Sequence, residues 1–254
     1  MKMTESKDSL KLDSVRQEVR GPLKFFAEKL TAALTDNLRS ITVIGSSLTE
    51  DYRNGQSNIN TIVVLNKQDI DSLKLIAGMA KQMSKKKLAA PLLMTDDYIE
   101  RSRDVFGIEF LDFQLTHQTI LGEDLFEKLT FSKSDVRLQC ERELKATLIR
   151  LRQGYIASAS QKRLVRDIVI SAVGGLTPLL RAMLWLKDAE RPNRAEPTFT
   201  KAAEQFSIKA DPLIQVRKWR YEKTRPNEGE ITAAFKSIYA VVEQLTVIVD
   251  KFEV

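Results

Sequence analysis

The spacing of apolar residues changes character about half-way along the chain. Up to about residue 130, short apolar runs alternate with helical stretches. Leu23, Phe26, Leu30 and Leu34 recur at helical intervals after Pro22, which suits a first helical position. Ser40–Ile44 and Ile59–Leu65 read as strands rich in Ile and Val. Asp69 to about Lys87 reads as a helix with Ile70, Leu73, Ala77 and Ala80 turned inward. Its Lys85-Lys86-Lys87 end suits the negative pole of a helix. Ala90–Met94 is a short strand, and Thr95 caps a brief helix. Val105–Gln114 is expected as the next strand, apolar at Val105, Phe106, Ile108, Phe110, Leu111 and Phe113. Strands alternating with helices predict an α/β sheet domain.

From about Phe131 the pattern is almost wholly helical. Ser134 is expected to cap a long helix with Cys140, Leu144, Leu148, Leu151 and Tyr155 on one stripe, so Cys140 reads as a core residue rather than a nucleophile. Ile168–Leu186 is the central apolar helix, where Gly174-Gly175 and Pro178 predict a kink or a close helix approach. A loop is expected over Arg191–Pro197, then short helices near Lys201–Phe206 and Pro212–Tyr221. Ile231, Phe235, Ile238, Val242, Leu245, Val249 and Phe252 alternate in steps of four and three, the seam of a bundle. The expected architecture is a mixed α/β (α+β) sheet domain over residues 1–130, its first ten residues a mobile tail, followed by an all-α helical bundle over residues 131–254.

Composition narrows the class. Of 254 residues, 43% are apolar and 29% charged, as in soluble globular proteins. A lone cysteine permits no internal disulfide and suits a reducing compartment. Met1–Leu12 has no signal-peptide pattern, so a cytoplasmic location is expected. The Ile168–Leu180 run, broken by two glycines and a proline, reads as too short to span a bilayer, and no membrane partner is expected. The net charge of +6 is uneven, with 18 Lys+Arg against 19 Asp+Glu in residues 1–130 and 22 against 15 in residues 131–254. Basic residues spread over several helices read as a solvated surface before they read as a nucleic-acid face.

The most informative segment is Ile41 to Leu65. An apolar strand ends in Gly45-Ser46, eleven loop residues follow, and Asn58-Ile59-Asn60 opens the next apolar run. Strand alternation points residues 58 and 60 to the same face. A Gly-Ser turn lets backbone N–H groups approach a phosphate closely, and the serine adds a hydroxyl donor. With the downstream segments Asp104-Val-Phe-Gly-Ile-Glu-Phe-Leu-Asp-Phe113 and Leu121-Gly-Glu-Asp-Leu125, the chain from about residue 20 to 250 resembles the nucleotidyltransferase superfamily of the kanamycin-nucleotidyltransferase type, and within it small two-domain members.

The resemblance implies a role for each position. Gly45 and Ser46 match the phosphate-cradling turn, while Ser57, Asn58, Asn60 and Arg53 fall where a nucleotide would be contacted. Asn58 and Asn60 occupy the two metal-carboxylate positions, so the layout is kept and two negative charges are lost. Two magnesium ions would need hard anionic oxygens there. Magnesium is therefore expected only with a bound nucleotide, and no other cofactor. Glu109 matches the third acid, a general base or further ligand, against the plainer reading of a solvated strand acid. Asp112 is its reserve, three residues on and facing the other way in a regular strand. Glu50 and Asp51 read as solvated loop acids that do not rebuild a bridging pair.

Elsewhere the chemistry is thin. His117 is the only histidine and reads as a loop residue, which removes a Ser-His-Asp triad or histidine metal cluster. Arg217-Lys-Trp-Arg-Tyr-Glu-Lys-Thr-Arg225 could stack on RNA, but Trp219 and Tyr221 do not share a helix face, so one of them packs and RNA is a poor partner. The first expectation is a catalytically impaired protein of nucleotidyltransferase fold that binds a nucleoside triphosphate or another phosphate-bearing small molecule, as a binding or regulatory module. The alternatives are an active metal-dependent nucleotidyltransferase acting on a hydroxyl acceptor, and an RNA-binding helical module. The bundle seam permits a homodimer.

Overall fold

A computed structural model describes residues 10–222 and 225–253, and 61% of the described residues are helical. The chain divides into two compact units, one running up to Arg103 with Phe113–Thr130, the other made of Asp104–Asp112 and Phe131–Val254. The tail expected over the first ten residues lies, except for Leu10, outside the described residues.

In the first unit, helix α1 (Gln17–Leu34) precedes strand β1 (Leu38–Ile44), and β2 (Asn60–Leu65) returns antiparallel to it. Helices α2 (Ile70–Ala77) and α3 (Ala80–Lys85) lead to β3 (Leu92–Met94), parallel to β2. After α4 (Asp96–Arg101) and α5 (Gly107–Leu115), strand β4 (His117–Gly122) pairs antiparallel with β1, giving a four-stranded sheet of order β3-β2-β1-β4. Leu23, Phe26, Leu30 and Leu34 are buried as expected, in one core with Ile41, Val43 and Val63. Yet α1 begins five residues ahead of Pro22, because Val19 is buried in the same core and extends the apolar stripe backward.

Two expectations here are corrected. The Asp69–Lys87 helix is broken at Gly78-Met79, and Asp69 caps it by accepting from the Ser72 N–H and hydroxyl. That cap turns Ser72, Ile76 and later Met83 inward and leaves Ile70, Leu73, Ala77 and Ala80 exposed. Val105–Gln114 is not a strand. It gives α5 instead, since Ile108, Leu111 and Leu115 also recur at helical spacing, and the edge beside β1 is taken by the polar-looking His117–Gly122. Gly122 lets β4 lie against β1: its φ is +76°, and a Cβ there would lie 2.1 Å from the Arg39 carbonyl oxygen.

The second unit holds the long helices α6 (Lys133–Ala157), α7 (Lys162–Leu186) and α10 (Glu228–Asp250), with the shorter α8 (Ala195–Phe206) and α9 (Asp211–Lys218). The cap of α6 is Ser132, not Ser134, and α8 starts inside the expected loop with Glu196-Pro197 in its first turn. Cys140, Leu144, Leu148 and Leu151 are buried, while Tyr155 stays exposed and its ring lies 4.6 Å from that of Phe235. Five of the six seam residues within α10 are buried and Phe235 is half-buried, and Phe252 is buried just past its end; Asn227 and Glu230 form a reciprocal cap at its start. The Ile168–Leu180 run, expected to be too short to span a bilayer, is part of a longer helix, since α7 runs unbroken through Pro178 for 25 residues and is by length and composition apolar enough to cross one. Its Val169, Val173, Leu176 and Leu180 nevertheless sit in the bundle core. The close helix approach is at Gly154, where an added Cβ would come within 3.0 Å of Ile168, and not at Gly174-Gly175.

Candidate functional site

The sheet converges on one point. Ile44, the last residue of β1, pairs with Asn60 on one side and His117 on the other. The chain leaves the sheet at Gly45, whose φ of +77° is open to glycine at no steric cost, and its N–H donates to the Thr116 carbonyl at 2.9 Å. Gly45–Leu48 then form a single 3-10 turn. Ser47 is buried, and its hydroxyl points back at the Ile44 carbonyl at 3.5 Å. Ser46 is half-buried, and among the described residues its hydroxyl has no partner. The side-chain nitrogen of Asn60 would be 3.8 Å from a Cβ on Gly45, so the amide faces the turn.

Asn58 and Asn60 are exposed on either side of buried Ile59, the alternation expected of them. The chain beside them is Leu88–Met94: Ile59 bridges Leu88 in parallel, its N–H donates to the Lys87 carbonyl at 2.7 Å, and the Ala89 N–H donates to the Ile59 carbonyl at 3.0 Å. No residue from Leu88 to Met94 is an acid. Asn58 stands at the rim of a cleft of about 380 Å³ that also includes Ile76, Met83, Ser84, Lys87 and Ala90. Ser57 is buried and closes its own loop: its hydroxyl accepts from the Arg53 N–H at 3.0 Å and its N–H donates to the Arg53 carbonyl at 2.8 Å. Arg53 is exposed.

His117 is no idle loop residue. It opens β4, with Nε2 at 2.9 Å from Asp124 Oδ2 and Nδ1 at 3.2 Å from the Gln114 carbonyl, and its ring lies edge-on to Phe126. Asp124 is itself fixed by the Phe126 N–H at 3.0 Å. Sequence reading missed this brace because the two residues are seven apart and span the end of an unexpected strand.

In the second unit, Glu109 lies on α5 and is exposed. Burial of the carboxyl among neighbouring atoms raises it above the ordinary value, Glu143 and Asp112 raise it further, and its own backbone N–H and Arg142 oppose them. The fold thus favours the protonated acid, and stability is lost as pH rises from 4.5, the ordinary value, through the raised one. Glu109→Gln is expected to melt slightly higher than the wild type at pH 7 and no higher below pH 4.5, the gain kept small by solvent screening of an exposed group. Melting temperatures compared at pH 4 and pH 7 check this. Asp112, the reserve acid, is held by Arg181, whose Nη1 lies 2.7 Å from Oδ1. Arg181 is 7% exposed, and its Nε also donates to the Pro192 carbonyl at 3.0 Å.

The remaining candidates are structural. Cys140 is fully buried, and that burial pushes its thiol well up, with Glu109 adding to the effect. Trp219 is in the bundle core, and the Arg217 and Arg220 guanidiniums lie 5.8 and 5.7 Å from the Tyr221 ring; Lys223 and Thr224 of that basic segment lie outside the described residues. A cleft of about 700 Å³ opens beside Gly154 and Gly175 in the second unit, but none of the turn or strand residues above lines it.

A glycine-serine turn ends one strand and paired amide side chains stand at the start of the next, in a fold that is nucleotidyltransferase-like. The solved structure of spectinomycin adenyltransferase AAD(9) from Enterococcus faecialis, determined with ATP and spectinomycin, is similar to this chain over 88% of its length and 98% of its own, with a TM-score of 0.57 and 14% identity. At that identity the likeness is one of fold. No family model matches the chain, and no curated protein does.

Proposed function

We propose that this protein binds a nucleoside triphosphate or a related phosphate compound at the Gly45-Ser46 turn and the Asn58–Asn60 edge, as a module without nucleotidyl-transfer chemistry. The carrying observation is the donor set. Two neutral amides stand where paired carboxylates would bridge two ions, and the adjoining Leu88–Met94 segment offers no acid. Among the described residues no three of His, Cys, Asp and Glu gather to hold a metal. These residues do not fit a two-magnesium centre, so magnesium would enter only as the counter-ion of a triphosphate. The turn supports the reading, with Gly45 left-handed and, among the described residues, the Ser46 hydroxyl without a partner. The structural neighbour was solved with ATP, which suits a ligand of this size and charge.

Calorimetric titration of ATP with and without magnesium tests the proposal, beside labelled-ATP incubations with hydroxyl acceptors. The expected result is binding that survives chelation, with no transfer. Label transfer that disappears in Glu109→Ala would overturn it in favour of a working transferase. Restoring the acids is expected to change the ion response: in Asn58→Asp/Asn60→Asp, manganese should tighten ATP binding roughly tenfold or more, the equivalent of ~1.4 kcal/mol. The same titration in the parent protein should show a much smaller metal effect.

A further inference from the structure

The charge run Lys85-Lys86-Lys87 divides in two. Lys85 is in the last turn of α3 and Lys86 is its cap residue, so the negative pole of the helix accounts for both. Lys86 also lies over the Phe25 ring at 4.8 Å. Lys87 is beyond the helix, and its φ of +58° is a conformation a side-chain-bearing residue adopts only at a cost. Its carbonyl accepts from the N–H of Ile59, the residue between the two asparagines, at 2.7 Å. Its side chain lines the same cleft as Asn58 and Ser84, and no carboxylate pairs with it among the described residues. An unpaired ammonium in a strained backbone is thus registered against the strand edge where the metal ligands are missing.

Resting on the nucleotide-binding reading above, we infer that Lys87 supplies at the Asn58 edge the positive charge that metal ions would otherwise bring, so that the triphosphate is bound free of metal. The charge balance supports this. Paired carboxylates repel a triphosphate unless cations intervene, whereas neutral amides beside a lysine attract it directly. Asn58 and Ser84, which line the same cleft, have an amide and a hydroxyl that can donate. The apolar side of the cleft, from Ile76, Met83 and Ala90, suits the remainder of a nucleotide.

The test is ATP binding by calorimetry in EDTA, for the whole chain and for Lys87→Gln, Lys87→Gly and Lys87→Arg. Gln removes the charge at similar length, Gly removes it while relieving the left-handed backbone, and Arg keeps it. Gln and Gly are expected to weaken ATP and inorganic tripolyphosphate at least tenfold, and Arg to stay within about threefold of the parent. Lys87→Gly should melt no lower than the parent, which separates lost binding from lost folding. Parent-like affinity in the Gln and Gly variants would overturn the Lys87 assignment and leave the nucleotide pocket standing. A parent protein that binds ATP only with magnesium would overturn the assignment, and with it the chelation-resistant binding expected above, while leaving a nucleotide pocket. No binding under either condition would remove the pocket and the assignment together.

Discussion

Gly122→Ala should cost the sheet unit more than any other single methyl addition among the described glycines. The new Cβ would sit 2.1 Å from the Arg39 carbonyl oxygen and 3.0 Å from the Ser40 Cα, and both obstacles are backbone of the central strand β1. The residue also has a φ of +76°, so alanine would be strained even with room to spare. Relief requires β4 to move off β1, which breaks the pairing of Ser40 with Gly122 and disturbs Thr42 and Thr119, whose hydroxyls meet at 2.8 Å. The expected loss is at least about 3 kcal/mol, a large share of the total stability of a domain. For a chain of this length that corresponds to a fall in melting temperature of about 10 °C. Gly55→Ala is the control: its φ is also positive but nothing lies within 4 Å, so it should cost about 1 kcal/mol. Near-parent melting of Gly122→Ala would mean that β4 does not hold the register described.

The second large effect is expected at Asp112 and Arg181. Arg181 is a buried charge on an apolar helix: its Nη1 donates to Asp112, and its Nε to the Pro192 carbonyl and the Thr198 hydroxyl. Removing one partner of a buried ion pair leaves the other desolvated without compensation, so Asp112→Ala should cost about 3 kcal/mol. The companion change Arg181→Met should cost a similar amount. The double variant Asp112→Ala/Arg181→Met should be less destabilised than the two losses added, because neither partner is left buried without the other. Guanidinium unfolding of the four proteins measures the cycle. Additive losses would show that the contact does not couple the two residues.

Much of the architecture could be read from spacing alone. The α1 stripe, the α10 seam and the strands either side of the Gly45 loop were legible because each has many apolar residues at one period. Where the structure departs from expectation, two periods competed or a local cap decided the face. Ile108, Phe110, Leu111 and Phe113 satisfy alternation and a helical stripe at once, so the 105–114 segment could be assigned either way. His117–Gly122 has too few apolar residues to announce a strand, and becomes one by pairing with the buried β1. In α2 the Asp69 cap fixes the rotation, and the apolar residues counted as inward face water. The Gly45 turn and the exposed asparagine pair were visible because short motifs carry their chemistry in sequence order. Lys87 was hidden inside a charge run, and the His117–Asp124 and Arg181–Asp112 partnerships join residues that only folding brings together.

Helix α5 has a practical consequence for anyone dissecting the chain. Asp104–Asp112 is folded with the helical unit, although the residues before and after it belong to the sheet. Ile108 and Leu111 sit among the side chains of α6 and α7. A stop codon placed after Thr130 would therefore yield a fragment carrying sticky, orphaned side chains, and a clone beginning at Phe131 would lack part of its own interior. Neither truncation is a self-sufficient product, so a soluble half-molecule calls for transplanting the 104–112 stretch across the cut.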